Sequence, residues 1–388
     1  MGTIVAAGSL AIWAYLLVAR GGFWRVNERE DDAIAFNPDA WPSVIAVVPA
    51  RNEAASIADT VRSLLQQDYA GAFRVIVVDD DSSDGTAERA RQAAESLCAS
   101  HRLSVLRAPA LQQGWTGKVS AQRYGIAHAE REAPDYLWLT DADICGTPDV
   151  LTQLVGRAAR DRLALVSMMA KLHCTTLPER ALIPAFVFFF RMLYPFAWVN
   201  RPSARTAAAA GGCMLVRREA LKRAGGIDAI RNELIDDCAL ARLLKREGPI
   251  FLGLTRRVES LRIYGSVRDI GDMVARTAYA QLRYSPWLLL VTVAGLVMTF
   301  LAPPLLALLG SGLARWLAAA ASLSMTLAWA PMVRFYRLRP WWVLVLPVAA
   351  TLYLAFTLQS AYRALRGRGG AWKGRVHVPA RPDGAATR

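Results

Sequence analysis

Residues 75–86 read VIVVDDDSSDGT: four β-branched residues, a run of acids and serines, then Gly-Thr opening a helical pattern. A short apolar run bounded by turn chemistry reads as a buried strand, and acids at its C-terminal end lie where open α/β sheets bind nucleotides. The same order recurs on both sides. Residues 43–48 (SVIAVV) lead into PARNE, and residues 136–140 (YLWLT) lead into DAD. Strands are expected over 43–48, 73–78, 103–106, 136–140 and 163–168, with helices over 52–67 and 86–97. In the first helix Ile57, Val61, Leu64 and Leu65 share one face. This alternation, from residue 42 to about 265, predicts an α/β domain with a doubly wound, Rossmann-like mixed sheet.

The strand ends carry the chemistry. Asp141 and Asp143, a D-x-D pair, put two carboxylates on one side of a strand terminus. Such a pair suits a hard divalent cation, Mg2+ or Mn2+, shared with a substrate diphosphate. A capped strand-end turn accounts for the same residues. Asp79 and Asp80 are placed to accept from a base N–H or a ribose hydroxyl, with Ser83 or Asp84 capping the helix that follows. In the loop after the first strand, Pro49, Asn52 and Glu53 offer a nucleotide contact; equally, Asn52 caps the next helix and Glu53 suits its positive end. Lys118, in GWTGK at 114–118, offers a cation to a diphosphate, although the spacing is not that of a Walker A loop and a surface turn is equally consistent. Asp237, in LIDDC at 234–238, opens a helical pattern and is the candidate general base for an acceptor hydroxyl, or else a helix cap.

Composition bears on the rest of the chain. Of its 388 residues 54% are hydrophobic, which is high for a soluble enzyme and points to a membrane class. A net charge of +14 suits phosphates or an anionic leaflet, and no aromatic-interleaved basic motif for nucleic acid accompanies it. The five cysteines are scattered and odd in number, so a disulfide framework is not expected; the four histidines show no zinc spacing. Residues 4–18 form an apolar run with Arg20, Arg25 and Arg29 after it, the order of an uncleaved anchor (1–22) whose C-terminal end lies inside. An aromatic segment at 181–200 is expected to lie in the headgroup region, and 266–286 to form an amphipathic linker. Apolar stretches at 287–309, 313–333 and 341–360 are expected to span, within a membrane region of 287–361, before a basic tail at 362–388. That count leaves the tail outside, against the positive-inside rule, so one segment is expected to be re-entrant or interfacial.

The order of these motifs, over 44–284, resembles the family 2 glycosyltransferases of GT-A fold. The resemblance implies a nucleotide-sugar-binding domain in which Asn52, Glu53 and Asp80 hold the nucleoside, Asp141 and Asp143 bind metal and diphosphate, and Asp237 is the base. Asp236 stands where the family often has Glu. AQLRY at 280–284 matches the Q-x-x-R-W motif of polysaccharide synthases only at Arg283, which leaves Arg283 as a diphosphate contact and weakens a processive-synthase reading. IPAFVFFF (183–190), AAAGGCMLVRR (208–218) and AWKGR (371–375) look like the hopanoid-associated glycosyltransferases of bacteria. That likeness implies Gly211, Gly212 and Asp236 on the acceptor side, a hopanoid or other polyisoprenoid-derived lipid as acceptor, and a multi-pass protein of the bacterial inner membrane with its catalytic domain cytoplasmic. A processive polysaccharide synthase and a catalytically silent membrane scaffold are the competing expectations.

Overall fold

The structure, a computed structural model, describes residues 1–29, 36 and 38–367. The tail motif at 371–375 and most of the expected basic tail lie outside the described residues.

Eight strands form one mixed sheet: β1 (Val44–Ala50), β2 (Phe73–Asp79), β3 (Leu103–Arg107), β4 (Tyr136–Thr140), β5 (Ile144–Gly146), β6 (Leu165–Lys171), β7 (Cys213–Arg217) and β8 (Ile250–Ser260), in the order β3-β2-β1-β4-β7-β6-β8-β5. Every residue of β1 is buried, as a strand covered on both faces requires. β2 and β4 pair with β1 in parallel, Ala46 facing Val75 on one side and Trp138 on the other. β7 runs antiparallel between β4 and β6, while β6 and β8 are parallel. The C-terminal ends of β1, β2, β4, β6 and β8 therefore open on one edge, and the loops that leave that edge build the site.

The helices, in chain order, are α1 (Gly2–Val18), α2 (Ile57–Leu65), α3 (Thr86–Ser96), α4 (Gly117–Ala129), α5 (Val150–Arg160), α6 (Leu177–Leu193), α7 (Phe196–Val199), α8 (Arg218–Arg223), α9 (Asp236–Glu247), α10 (Val267–Ala275), α11 (Ala278–Gln281), α12 (Pro286–Leu296), α13 (Ala302–Leu309), α14 (Gly312–Phe335) and α15 (Leu346–Leu365). Two apolar cores result. One lies under α2, α3 and α5; the other holds α4, α6 and α9 and runs on into the C-terminal helices through Phe188, Trp329 and Tyr353. The aromatic segment expected in the headgroup region forms much of α6 and α7, and its rings pack inward. Phe188 meets Phe23 at 5.3 Å and Trp329 at 5.2 Å, and Phe189 meets Tyr353 at 5.0 Å. Its aromatic density is thus the filling between the sheet and the C-terminal helices.

Among the described residues two helices are long and apolar enough to cross a membrane, Pro286–Leu309 and Gly312–Phe335. The first is interrupted by a π turn at Val297–Leu301. Pro303 and Pro304 follow and lack the N–H groups that carbonyls four or five residues earlier would accept. α1 supplies the missing donors: Ser9 Oγ donates to the Met298 carbonyl at 2.7 Å, and Trp13 Nε1 to the Thr299 carbonyl at 2.8 Å. At 17 residues α1 is short for a full crossing, but it packs along α13 and α14.

The third expected span differs. A 3-10 turn at Pro340–Leu344 occupies its start, and α15 follows. α15 is fastened to α6 and α10 from its middle to its end. Tyr353 Oη donates to the Leu182 carbonyl at 3.0 Å, Ser360 Oγ donates to the Ala275 carbonyl at 2.6 Å, and Arg363 pairs with Asp272. A Cβ at Gly271 would sit 2.7 Å from the Phe356 ring, so only glycine lets α10 and α15 approach this closely.

Candidate active site

Strand ends and helix starts converge on one lysine. Lys118 stands in the first turn of α4, a position whose dipole disfavours a cation. It is held by anions instead: Nζ lies 2.7 Å from Asp141 at the end of β4 and 3.6 Å from Asp236 at the start of α9. Burial opposes its charge, but Asp141 and Asp236 overrule burial and raise its pKa. Gly211 faces the same point. A Cβ there would lie 3.1 Å from the lysine nitrogen and 3.5 Å from Asp237, so a side chain would crowd the lysine.

Asp237 accepts from the Gly211 N–H at 3.0 Å and from the Cys238 N–H at 2.7 Å. Burial, then the neighbouring Asp236 carboxylate, push its pKa up to about 6, against the pull of Lys118. A carboxyl near neutrality at the base of a loop-lined edge has the property a general base needs. Gly212 contributes structure: its carbonyl accepts from Thr140 Oγ1 at 2.8 Å and ties the loop before β7 to the end of β4.

The two acids of the D-x-D motif part company. Asp141 faces Lys118, while Asp143 is buried and accepts from Arg262 Nε at 2.9 Å. Burial, then the charge of Asp141, raise the Asp143 pKa, and Arg262 counters them. Arg262 also donates to Glu53 at 2.9 Å, so one guanidinium bridges the loops after β1 and β4. The sequence reading did not find Arg262. It follows β8 directly, and the only signal available was a basic residue just past a strand whose C-terminal end shares the site's edge.

Arg262 is itself positioned by a buried acid. Glu179 accepts from the Tyr264 N–H at 2.8 Å, from the Thr175 and Thr176 N–H groups at 2.9 Å each, and pairs with His173 Nδ1 at 2.9 Å. Burial alone would raise its pKa; the donors from Tyr264, Thr176, His173 and Thr175 hold it at about 2.

The first loop differs from its expected form. Helix α2 begins at Ile57, not near Asn52, and its N-cap is Ser56. Asn52 has a left-handed φ of 50° and brackets two loops: its N–H donates to Ser82 Oγ at 3.0 Å and its Oδ1 accepts from the Ser83 N–H at 2.9 Å. Asp84 accepts from the Ala54 and Thr86 N–H groups, while the capping position of α3 is Gly85. Pro49 is a buried β1 residue opposite Val78. Asp79 is buried with one carboxylate oxygen lacking a hydrogen bond, and Asp80 lies 3.7 Å from Arg51. Arg283 sits in a left-handed turn after α11 with a φ of 53°, and among the described residues no side-chain hydrogen bond joins it to the acids.

The donor set meets the chemistry of a hard cation. Two mutually repelling carboxylates, Asp141 and Asp143, call for positive charge, which Lys118 and Arg262 supply here. Among the described residues no group of three or more His, Cys, Asp or Glu side chains gathers as a complete metal site. A cation held here would take its remaining ligands from substrate and water.

Comparison with known proteins defines the class. Residues 45–225 match the model of glycosyl transferase family 2. An N-acetylglucosaminyltransferase of Mesorhizobium japonicum is 34% identical over 117 residues, which is 30% of this chain and 26% of that protein. An N-acetylglucosaminyltransferase of Rhizobium leguminosarum bv. viciae is 32% identical over 114 residues, 29% of this chain and 24% of that protein. The chain thus spans about a quarter of the length of these curated relatives. A mannosyltransferase from Pyrobaculum calidifontis, solved with GDP-Man and Mn2+, shares the fold with a TM-score of 0.57 at 20% identity, over 94% of this chain and 99% of that one. The chain therefore carries a glycosyltransferase domain. Residues 45–225 match the family 2 model, and the mixed α/β sheet is of GT-A type.

Proposed function

We propose that this protein transfers one sugar, with inversion, from a nucleoside diphosphate sugar to a hydroxyl of a membrane lipid. The observation that carries the reading is Asp237. It is a half-buried carboxyl with its pKa raised to about 6, oriented by two backbone N–H groups beside Lys118 and Asp236. In the proposed step Asp237 takes the proton of the acceptor hydroxyl as its oxygen bonds to the anomeric carbon. The bond from that carbon to the diphosphate breaks, and the nucleoside diphosphate leaves with the electron pair. Lys118, freed from Asp141, and Arg262, freed from Asp143, are placed to meet the charge of the departing diphosphate. Asp141 and Asp143 are the residues that would hold Mg2+ or Mn2+, whose chemistry is neutralisation of diphosphate charge. Asn52, Glu53, Asp79 and Asp80 frame the nucleoside side of the edge, and Gly211 and Gly212 the acceptor side.

Membrane attachment is supported by the two long apolar helices and by the packing of α1 against them. The resemblance noted above narrows the proposed acceptor to a hopanoid or other polyisoprenoid-derived lipid and the proposed setting to the bacterial inner membrane. The purified protein, offered UDP-N-acetylglucosamine, other UDP-sugars and GDP-mannose with total lipid extract, should yield a lipid heavier by one sugar on mass analysis. A polymer in place of that product, or transfer to no lipid from any donor, would overturn the proposal.

A further inference from the structure

A cavity of about 450 Å3 opens where α14 gives way to α15, with Arg180, Tyr336, Arg337, Arg339, Trp341 and Trp342 among its lining residues. Three arginines line it from two separate parts of the chain. Arg180 comes from the first turns of α6, and Arg337 and Arg339 from the loop after α14. No acid lines the cavity, and among the described residues none of the three arginine side chains has an ion pair or a hydrogen bond. Three like charges at one opening raise the local potential and favour an anion, and guanidinium groups fit the oxygens of a phosphate in paired hydrogen bonds. The aromatic wall is amphipathic. Trp341 and Trp342 stack at 4.4 Å, the first half-exposed and the second buried, and the Tyr336 ring is buried behind them. Tryptophan of this kind gathers where hydrocarbon meets water. Phe335, the residue before this loop, ends one of the two helices long enough to cross a membrane.

We infer that this cavity binds the phosphate of an anionic lipid headgroup in the leaflet on the catalytic side. The phosphate chemistry stands on the three arginines alone, whereas the lipid source rests on the membrane attachment proposed above. Flotation of the full chain with vesicles tests that attachment separately, and its failure would leave the phosphate arm below readable.

The test is native mass spectrometry of the full chain in detergent, titrated with dioleoylphosphatidylglycerol, dioleoylphosphatidylcholine or inorganic phosphate. One phosphatidylglycerol per chain should be retained, and phosphatidylcholine should bind at least tenfold more weakly. Arg337→Gln with Arg339→Gln should weaken phosphatidylglycerol binding about a hundredfold, and Arg180→Gln about tenfold, as expected for the loss of charge-assisted hydrogen bonds. These side chains are exposed, so an unchanged thermal midpoint is expected to accompany the loss; Arg180→Gln, on a different element, repeats the test if the double variant misfolds. Equal retention by parent and variants, or equal binding of the two lipids, would overturn the inference. Inorganic phosphate competing at the same concentration as the lipid would support the phosphate site and overturn its lipid source.

Discussion

Asp237 and Lys118 are coupled through charge, and the coupling fixes how activity should respond to pH. A base with a pKa of about 6 is competent above that value, so kcat/KM should fall about tenfold per unit as the pH drops below it. Asp237→Asn should reduce kcat about a hundredfold or more while donor binding persists, as measured by calorimetry with the nucleoside diphosphate. Lys118 lowers the Asp237 pKa, so Lys118→Met should shift the acid limb of the pH profile upward. A limb that stays in place would remove Asp237 as its source. Stability runs the other way. Between the ordinary carboxyl value of 3.8 and about 6 the folded chain holds a proton that the unfolded chain has released, so this group costs stability as the pH rises through that window. Asp141 and Asp143 drew attention as acids after a strand terminus, Lys118 as a lysine among glycines and Asp237 as one of an acidic pair opening a helical pattern, all of them local patterns. Arg262 was not, because its partners Asp143 and Glu53 are 119 and 209 residues away in the chain and no local pattern marks the pairing.

At the scale of elements, Glu179 joins the start of α6 to the loop after β8, and so holds Arg262 over the D-x-D acids. Glu179→Gln keeps the shape but removes the charge that four donors share. A cost of about 2 kcal/mol follows from weakening charged, buried hydrogen bonds. The thermal midpoint should fall, and the KM for the donor should rise more than kcat falls. Because the native pKa lies near 2, the stability that this carboxylate adds is complete above the ordinary 4.5 and is lost as the pH falls toward 2. The gap in thermal midpoint between parent and variant should therefore close in acid; a gap independent of pH would deny the charge its role. The parallel strands β1 to β4 and β6 were readable as apolar runs. β5, β7 and β8 were not: β5 is three residues long, β7 follows a glycine pair, and β8 carries Arg256, Arg257 and Glu259 on its exposed end. Their place is set by cross-sheet pairing, which sequence periodicity does not encode.

For the molecule as a whole, the packing of α15 bears on how many segments would cross in the proposed membrane arrangement. Sequence hydropathy read residues 341–360 as a span because Leu, Val, Ala and aromatic residues dominate there. What hydropathy does not register is that Tyr353 bonds to α6, and Ser360 and Arg363 to α10, the helix that follows the catalytic domain. A helix fastened in this way from its middle to its end keeps its C-terminal end beside that domain. In the membrane arrangement proposed above, α1 and α14 would run toward the catalytic side, α12–α13 away from it, and α15 would cross nothing, which would resolve the strain in the charge count. Gly2 lies near Ala314 and Leu306 at one end of this bundle, and Arg20 meets the Met192 carbonyl at the other, which sets the direction of α1. Sidedness can be read by labelling in sealed vesicles with a membrane-impermeant maleimide. Cys98, exposed on the catalytic domain, is the internal reference. Arg366→Cys, just past α15, should label together with Cys98, whereas Ser311→Cys, at the tip between α13 and α14, should label only after the vesicles are opened from the other side. If Arg366→Cys labels with Ser311→Cys instead, α15 spans, and the arginines that precede it no longer share a face with the end of the chain.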